Sequence, residues 1–265
     1  MSPAERRRKD DLARLGEALN LSGALIRKLL KGSITVSRKE GGDPVTQVDL
    51  AVSEMLRTEL LQPGEGWLSE ESKDDLSRLK CSRVWVVDPL DGTKEFIQHI
   101  PEWCVSIGLV EDGVAVAGAI LNPATGESYL GSKETGLRFN GRAARVRRRA
   151  SLKGALVLAS RSELARGEWE RFQGKSFTVQ AKGSVAYKLA MVAAGQADVT
   201  WTLTPKHEWD VAAGVALVAA GGGSCWIPDG EPLRFNQRDS LLPGLVTSSR
   251  AVSGAVRRIL QTTKS

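Results

Sequence analysis

Cysteine is scarce in this 265-residue chain. Cys81, Cys104 and Cys225 are odd in number and form no C-x-x-C pair, which argues against a disulfide framework or a cysteine zinc site and reads as small thiols in a reducing cytosol. Aromatic residues make up only 5%, with 2 Tyr and 5 Phe, and no RNP-like stacking pair is present. The first eleven residues are charged from Glu5 onward and hold no apolar core, so no secretory signal is read there and a cytoplasmic location is expected. A long hydrophobic run is missing too. Residues 211–228 carry no charge, but Gly214, Gly221, Gly222 and Gly223 interrupt them. They read as a buried helix over 211–220 followed by a turn, too short for a membrane span.

What is present is an ordinary globular composition with a formal net charge of +6. The excess is local: Arg142, Arg145, Arg147, Arg148 and Arg149 fall close together, and Arg6, Arg7, Arg8 and Lys9 form a second run. Both read first as solvated surface. A basic nucleic-acid-binding protein is a remote alternative, disfavoured because no helix-turn-helix or zinc finger accompanies the arginines.

Leu12, Leu15, Leu19, Ile26, Leu29 and Leu30 predict an amphipathic helix over 4–31, ended by Gly32. Residues 33–45 read as a loop. Thr46, with Asp49 three residues on, reads as a capped helix start, with Val48, Ala51, Val52, Met55, Leu56 and Leu60 as the apolar face. Residues 84–87 read as a strand, 105–110 and 114–121 as a hairpin, and 128–131 and 137–139 as additions to the same sheet. From about residue 150 the pattern alternates. Strands are expected at 156–159, 177–180, 198–203 and 245–247, and helices at 163–172, 184–194, 210–220 and 251–260. An α+β half over 1–148 and an α/β half with a parallel-rich sheet over 149–265 follow.

The strand at 84–87 runs into Asp88-Pro89-Leu90-Asp91-Gly92-Thr93. Strand carboxyl ends are where α/β sheets place their sites. The D-x-x-D spacing lets two carboxylates turn to one point, and the free N–H groups of a helix opened by Thr93 suit phosphate. The same residue types also describe a plain turn. Glu70-Glu71 upstream, Asp210 after Trp209, and Asp49 weigh against that bland reading, although each alone is explained as a cap, a helix-dipole acid or a solvated side chain. Together, such hard carboxylate oxygens suit Mg²⁺ rather than zinc.

Four segments resemble the superfamily of Mg²⁺-dependent, lithium-sensitive phosphatases that includes inositol monophosphatases, fructose-bisphosphatases and 3'(2'),5'-bisphosphate nucleotidases. They are DPVTQVD (43–49), SEES (69–72), WVVDPLDGTKEF (85–96) and EWDVAAG (208–214). GSVAYKLAMVAAGQAD (183–198) is similar to the family's substrate-side helix. The resemblance implies an α/β fold, a layered α-β-α-β-α sandwich whose second half completes the site with Asp210. It implies Glu70, Asp88, the Leu90 carbonyl, Asp91 and Asp210 as ligands of two or three Mg²⁺ ions, with Asp88 bridging two. Thr93 would orient the attacking water with Asp49 behind it, and the N–H groups of Gly92 and Thr93 would hold the phosphate. The implied chemistry is phosphomonoester hydrolysis by a metal-activated water, without a covalent phosphoenzyme. Neither His99 nor His207 is given a role.

For the substrate, DGTKEF resembles the bacterial bisphosphate nucleotidases, and Leu203 stands where the inositol enzymes carry an acid six residues before the Trp of the W-D pair. The expectation is hydrolysis of 3'-phosphoadenosine 5'-phosphate to AMP, a clean-up step in sulfate assimilation. Lys94, Lys182, Lys188 and Lys206 are candidates for the second phosphate, and Gly183, Ser184 and Glu208 are further substrate contacts. The alternative is an inositol-1-phosphate or sugar-phosphate phosphatase in which Glu208 or Lys206 replaces the missing acid. The expected partner is a small phosphorylated molecule, with no membrane and no nucleic acid, for a monomer or homodimer.

Overall fold

The computed structural model describes residues 3–38, 44–229, 231 and 233–262. Asp43 of the first motif, with Gly41 and Gly42, lies outside them. Helix α1 (Pro3–Leu29) is followed by β1 (Val36–Arg38), β2 (Pro44–Thr46) and α2 (Gln47–Leu60). The segment read as a loop is therefore in part an antiparallel ribbon, with Val36 opposite Thr46. Its first strand is exposed along its length, so it carries no alternation to read. Thr46 caps α2 as expected: its hydroxyl accepts from the Val48 N–H, and Asp49 accepts from the Thr46 N–H.

A seven-stranded sheet follows in sequence order. It consists of β3 (Gly66–Ser69), β4 (Arg83–Asp91), β5 (Cys104–Glu111), β6 (Val114–Asn122), β7 (Glu127–Ser132), β8 (Gly136–Phe139) and β9 (Arg142–Ala144), with the short helix α3 (Thr93–Ile97) after β4. Only β3–β4 is parallel. The β5–β6 turn is Asp112-Gly113, at φ 47° and 77°, the left-handed geometry that matches strand twist in tight hairpins. The second half contains β10 (Leu156–Ser160), α4 (Arg161–Ala165), β11 (Thr178–Lys182), α5 (Val185–Ala193), β12 (Val199–Thr202), β13 (Lys206–His207), α6 (Glu208–Ala220), β14 (Gly223–Trp226), β15 (Leu241–Leu242), β16 (Leu245–Ser249) and α7 (Ser253–Thr262). Its five-stranded sheet has the order β11-β10-β12-β16-β14. The first three strands are parallel, while β16 runs antiparallel to both its neighbours, β12 and β14, so the sheet is mixed rather than simply parallel-rich.

The layers alternate helix and sheet. Leu15, Ile26, Val52 and Leu56 of α1 and α2 pack on Trp85, Val87 and Ile107 of the first sheet. Helices α5 and α6 lie on its other face, between the sheets, and Trp169, Trp201, Val252 and Val256 fill the outer face of the second. Gly118 sets the spacing of the middle layer: a Cβ there would lie 2.4 Å from the Ala213 carbonyl oxygen. Backbone thus meets backbone, and α6 is seated with its amino end beside the end of β4.

Two further expectations are corrected. The helix read over 163–172 is α4 plus a separate 3₁₀ turn at Glu170–Phe172. Gly167 at φ 76° ends the first piece, and Glu163 turns inward to accept from the Trp169 indole and the Thr202 hydroxyl. The turn read after residue 220 contains a strand, β14, because its glycines fit where bulk does not: a Cβ on Gly223 would lie 2.7 Å from Val218. The arginine run is not wholly solvated either. Arg147 and Arg149 reach the buried Asp198 at 3.6 and 3.1 Å, so it straps the first sheet to the second. Among the described residues, no helix is long and apolar enough to cross a membrane.

Candidate active site

A cavity of about 430 Å³ opens at the carboxyl end of β4. It is lined by Pro44, Glu70, Asp88, Leu90 to Glu95, His207, Trp209 and Asp210. Residues three apart on a regular strand face opposite sides, yet Asp88 and Asp91 both reach this cavity. A register shift resolves this. Asp88 lies opposite Ser106 and Asp91 opposite Cys104, so three steps along β4 match two along β5. Such a bulge re-aims side chains, here around Pro89. Gly92 then turns at φ 101°, and α3 starts at Thr93.

Carboxylate oxygens of Glu70, Asp88 and Asp210 lie within 4.8 Å of one another. Glu70 comes from just after β3, Asp88 from β4 and Asp210 from the first turn of α6. Burial first, and then the charges of Glu70, Asp91 and Asp210, push the Asp88 carboxyl well above its usual range. Burial, Asp91 and Glu70 do the same to Asp210. Asp91 is raised less. Burial lifts it, but the Ser184 hydroxyl at 2.7 Å and the Ala186 N–H at 2.6 Å both donate to its Oδ2. Buried like charges repel and call for a cation. The donors are hard carboxylate oxygens with the Leu90 carbonyl nearby, a set that fits Mg²⁺.

Behind this cluster, the Thr93 hydroxyl lies 3.3 Å from Asp49 Oδ1 and 3.1 Å from the Leu90 carbonyl oxygen. Asp49 is nearly inaccessible. Burial raises its carboxyl, partly offset by hydrogen bonds from Thr46 and Thr93.

The predicted substrate contacts divide. Gly92, Thr93 and Lys94 line the cavity. Gly183 and Ser184 are spent on holding the site together: the Gly183 N–H donates to Glu102 at 2.7 Å, and the Ser184 hydroxyl is engaged by Asp91. Lys188 is buried, its ammonium on the carbonyls of Lys182 and Ser184, and Lys182 pairs with Glu102 at 3.1 Å. Lys206 sits in β13 at the edge of α6, where its charge eases Asp210. Glu208 is a correction. It is fully buried, and its two oxygens accept the N–H groups of Asn236 and Gln237, so it pins a loop and faces no ligand. Leu203 packs with the second core.

Four lining residues were missed: Pro44, Glu95, His207 and Trp209. Glu95 was passed over beside Lys94 in the same motif. His207 and Trp209 flank Glu208. Their rings stack at 4.3 Å and 10°, and His207 Nδ1 lies 3.1 Å from the Ser240 hydroxyl.

A model described as the inositol monophosphatase family matches residues 11–262. An inositol-1-monophosphatase of Mesorhizobium japonicum is 35% identical over 237 residues, covering 86% of this chain and 88% of the relative. A fructose-1,6-bisphosphatase/inositol-1-monophosphatase of Thermotoga maritima is 32% identical, covering 71% and 73%. Among solved structures, the extragenic suppressor protein suhB of Bartonella henselae superposes with a TM-score of 0.79 at 28% identity, covering 95% of this chain and 98% of that one.

Proposed function

Because the chain belongs to the inositol monophosphatase family, a family of metal-dependent phosphatases, we propose that it hydrolyses the phosphomonoester of a small polyol, an inositol or sugar phosphate, at the cavity beneath Glu70, Asp88 and Asp210. The convergence of those three acids in one cavity with Asp91 and Thr93 carries the reading.

Glu70, Asp88, Asp91, Asp210 and the Leu90 carbonyl would hold the Mg²⁺. When bound, it supplies positive charge that offsets the phosphate dianion and steadies both the entering and the leaving oxygen. The chain's own residues do the rest. Thr93, its hydroxyl proton directed to Asp49, offers a lone pair to orient a water and pass its proton inward. The N–H groups of Gly92 and Thr93, at the opening of α3, receive phosphate oxygens. The hydrogen bonds on Asp91 Oδ2 hold that carboxylate in one orientation, so little reorganisation accompanies the reaction.

The bisphosphate-nucleotide expectation gives way to its alternative on two grounds. Lys182 and Lys188, two of the cations it relied on, are committed to Glu102 and to backbone carbonyls. The relatives' names point to inositol and fructose phosphates. Phosphate release with Mg²⁺ from inositol 1-phosphate, fructose 1,6-bisphosphate and 3'-phosphoadenosine 5'-phosphate, with Asp91→Asn as control, tests the reading. A tenfold or greater preference in kcat/KM for a polyol phosphate supports it, and the same preference for the nucleotide overturns it.

A further inference from the structure

Of the acids lining the cavity, Glu70, Asp88, Asp91 and Asp210 belong to the carboxylate cluster. Glu95 does not. It sits on α3, half-buried in the cavity wall, and forms no ion pair among the described residues. Among the described residues no side chain donates a hydrogen bond to it. Its stem lies flat against the chain at Gly183: a Cβ there would fall 2.5 Å from Glu95 Cγ and 2.7 Å from its Cδ. A side chain at 183 larger than hydrogen would displace the carboxylate. Glycine is thus required opposite Glu95 by space alone, since Gly183 is not among the residues with positive φ.

A carboxylate stripped of part of its water, in no ion pair and facing an open cavity, has unused acceptor capacity. Nearby acids give it no partner. Asp91 and Glu102 repel it, and the two cations it feels are engaged elsewhere, Lys188 on two carbonyls and Arg161 on Glu102. A second phosphate there would meet like charge. Neighbouring hydroxyls would not, since each can donate to one carboxylate oxygen.

We propose that Glu95 is the hydroxyl acceptor of the cavity, taking hydrogen bonds from adjacent hydroxyls on the alcohol part of the substrate and so selecting polyol phosphates over esters of alcohols without such hydroxyls. The assignment rests on the phosphomonoesterase reading above. Glu95 fills the role expected of Glu208, whose oxygens are occupied elsewhere.

The test is a ratio. For the full-length protein with Mg²⁺, kcat/KM is measured for inositol 1-phosphate and for 4-nitrophenyl phosphate, in the wild type, Glu95→Ala and Glu95→Gln. A site built to accept a hydroxyl loses discrimination when the acceptor is removed. The inositol-to-aryl ratio is expected to fall at least tenfold in Glu95→Ala, chiefly through KM. Glu95→Gln keeps the shape and one acceptor oxygen and is expected to fall between, which also keeps the test open should the alanine variant fold poorly. A wild type that prefers inositol 1-phosphate, with the ratio unchanged in both variants, overturns the Glu95 assignment alone. A wild type that cleaves the aryl ester but neither inositol 1-phosphate nor fructose 1,6-bisphosphate overturns the polyol reading, and this assignment with it.

Discussion

Strand β4 begins at Arg83 and ends at Asp91, and its two ends treat buried charge in opposite ways. At the amino end every acid has a cation. Arg83 reaches Asp11, Glu65 and Glu111. Arg8 reaches Asp11 at 2.9 Å and Glu111 at 2.7 Å, and Arg14 reaches Glu65 at 2.7 Å. Burial alone would raise Glu65 and Glu111, but the arginines outweigh it and hold both below their ordinary value. At the carboxyl end Asp88 meets Glu70, Asp91 and Asp210, and the balance reverses. A strand that can pair its charges at one end and leaves them opposed at the other is stabilised at the first and kept ready for a ligand at the second. Local rules are broken where a protein acts and kept where it is only held together.

The contrast predicts opposite responses to charge removal. Arg83→Ala strips three carboxylates of a partner and is expected to lower stability by about 3–5 kcal/mol, as breaking a buried network does; urea unfolding measures it. Asp88→Asn is expected to do the reverse in EDTA, raising Tm because a repulsion is gone, while kcat/KM falls by on the order of a thousandfold, about 4 kcal/mol of lost charge stabilisation. A lowered Tm for Asp88→Asn would remove the distinction between the ends.

Metal addition sharpens it. At a Mg²⁺ concentration about a hundredfold above Kd, binding to the folded state alone adds about 2.7 kcal/mol. Wild type is expected to show that rise in a calorimeter and Asp88→Asn to lose it. Ser184→Ala removes one of the two donors on Asp91 Oδ2. Loss of a hydrogen bond to a charged group, worth about 1.5–3 kcal/mol, is expected to raise the Mg²⁺ concentration for half-activation by about tenfold. An unchanged half-activation concentration would mean that Ala186 alone orients the carboxylate.

The two ends also differed in how far the sequence revealed them. The functional end was legible because its chemistry is packed into short motifs: D-P-L-D-G-T places two acids, a turn and a helix start within six residues. The paired end was not, because Arg8, Glu65, Arg83 and Glu111 come from four separate places in the chain and each reads alone as solvated charge. The fold shows the same division. Capped helix α2 and the β5–β6 hairpin follow local rules and were read correctly. Ribbon β1–β2 and strand β14 depend on partners distant in pattern or on glycine contacts, and were not. Glu95 and Glu208 mark the limit at the site itself. Both are acids beside recognised motif residues, and only packing reveals that Glu95 faces the cavity while Glu208 faces a loop.

Glu102 offers the smallest effect and the finest test, because it borders the functional end yet is paired like the other. Burial would raise it, but Arg161 at 2.6 Å, the Gly183 N–H and Lys182 hold it at about 2. Its folded value lies below its ordinary 4.5, so its stabilisation is fully present above about 4.5 and is lost as pH falls toward about 2. The Arg161 side chain is 40% exposed, and solvent screening reduces the contribution to about 1 kcal/mol. Glu102→Gln is therefore expected to flatten the decline of stability between pH 5 and pH 3, on the order of that amount, in urea titrations compared with wild type. If the decline is as steep in the variant, Glu102 is not held as a paired acid, and pairing is not what separates structural from functional carboxylates in this protein.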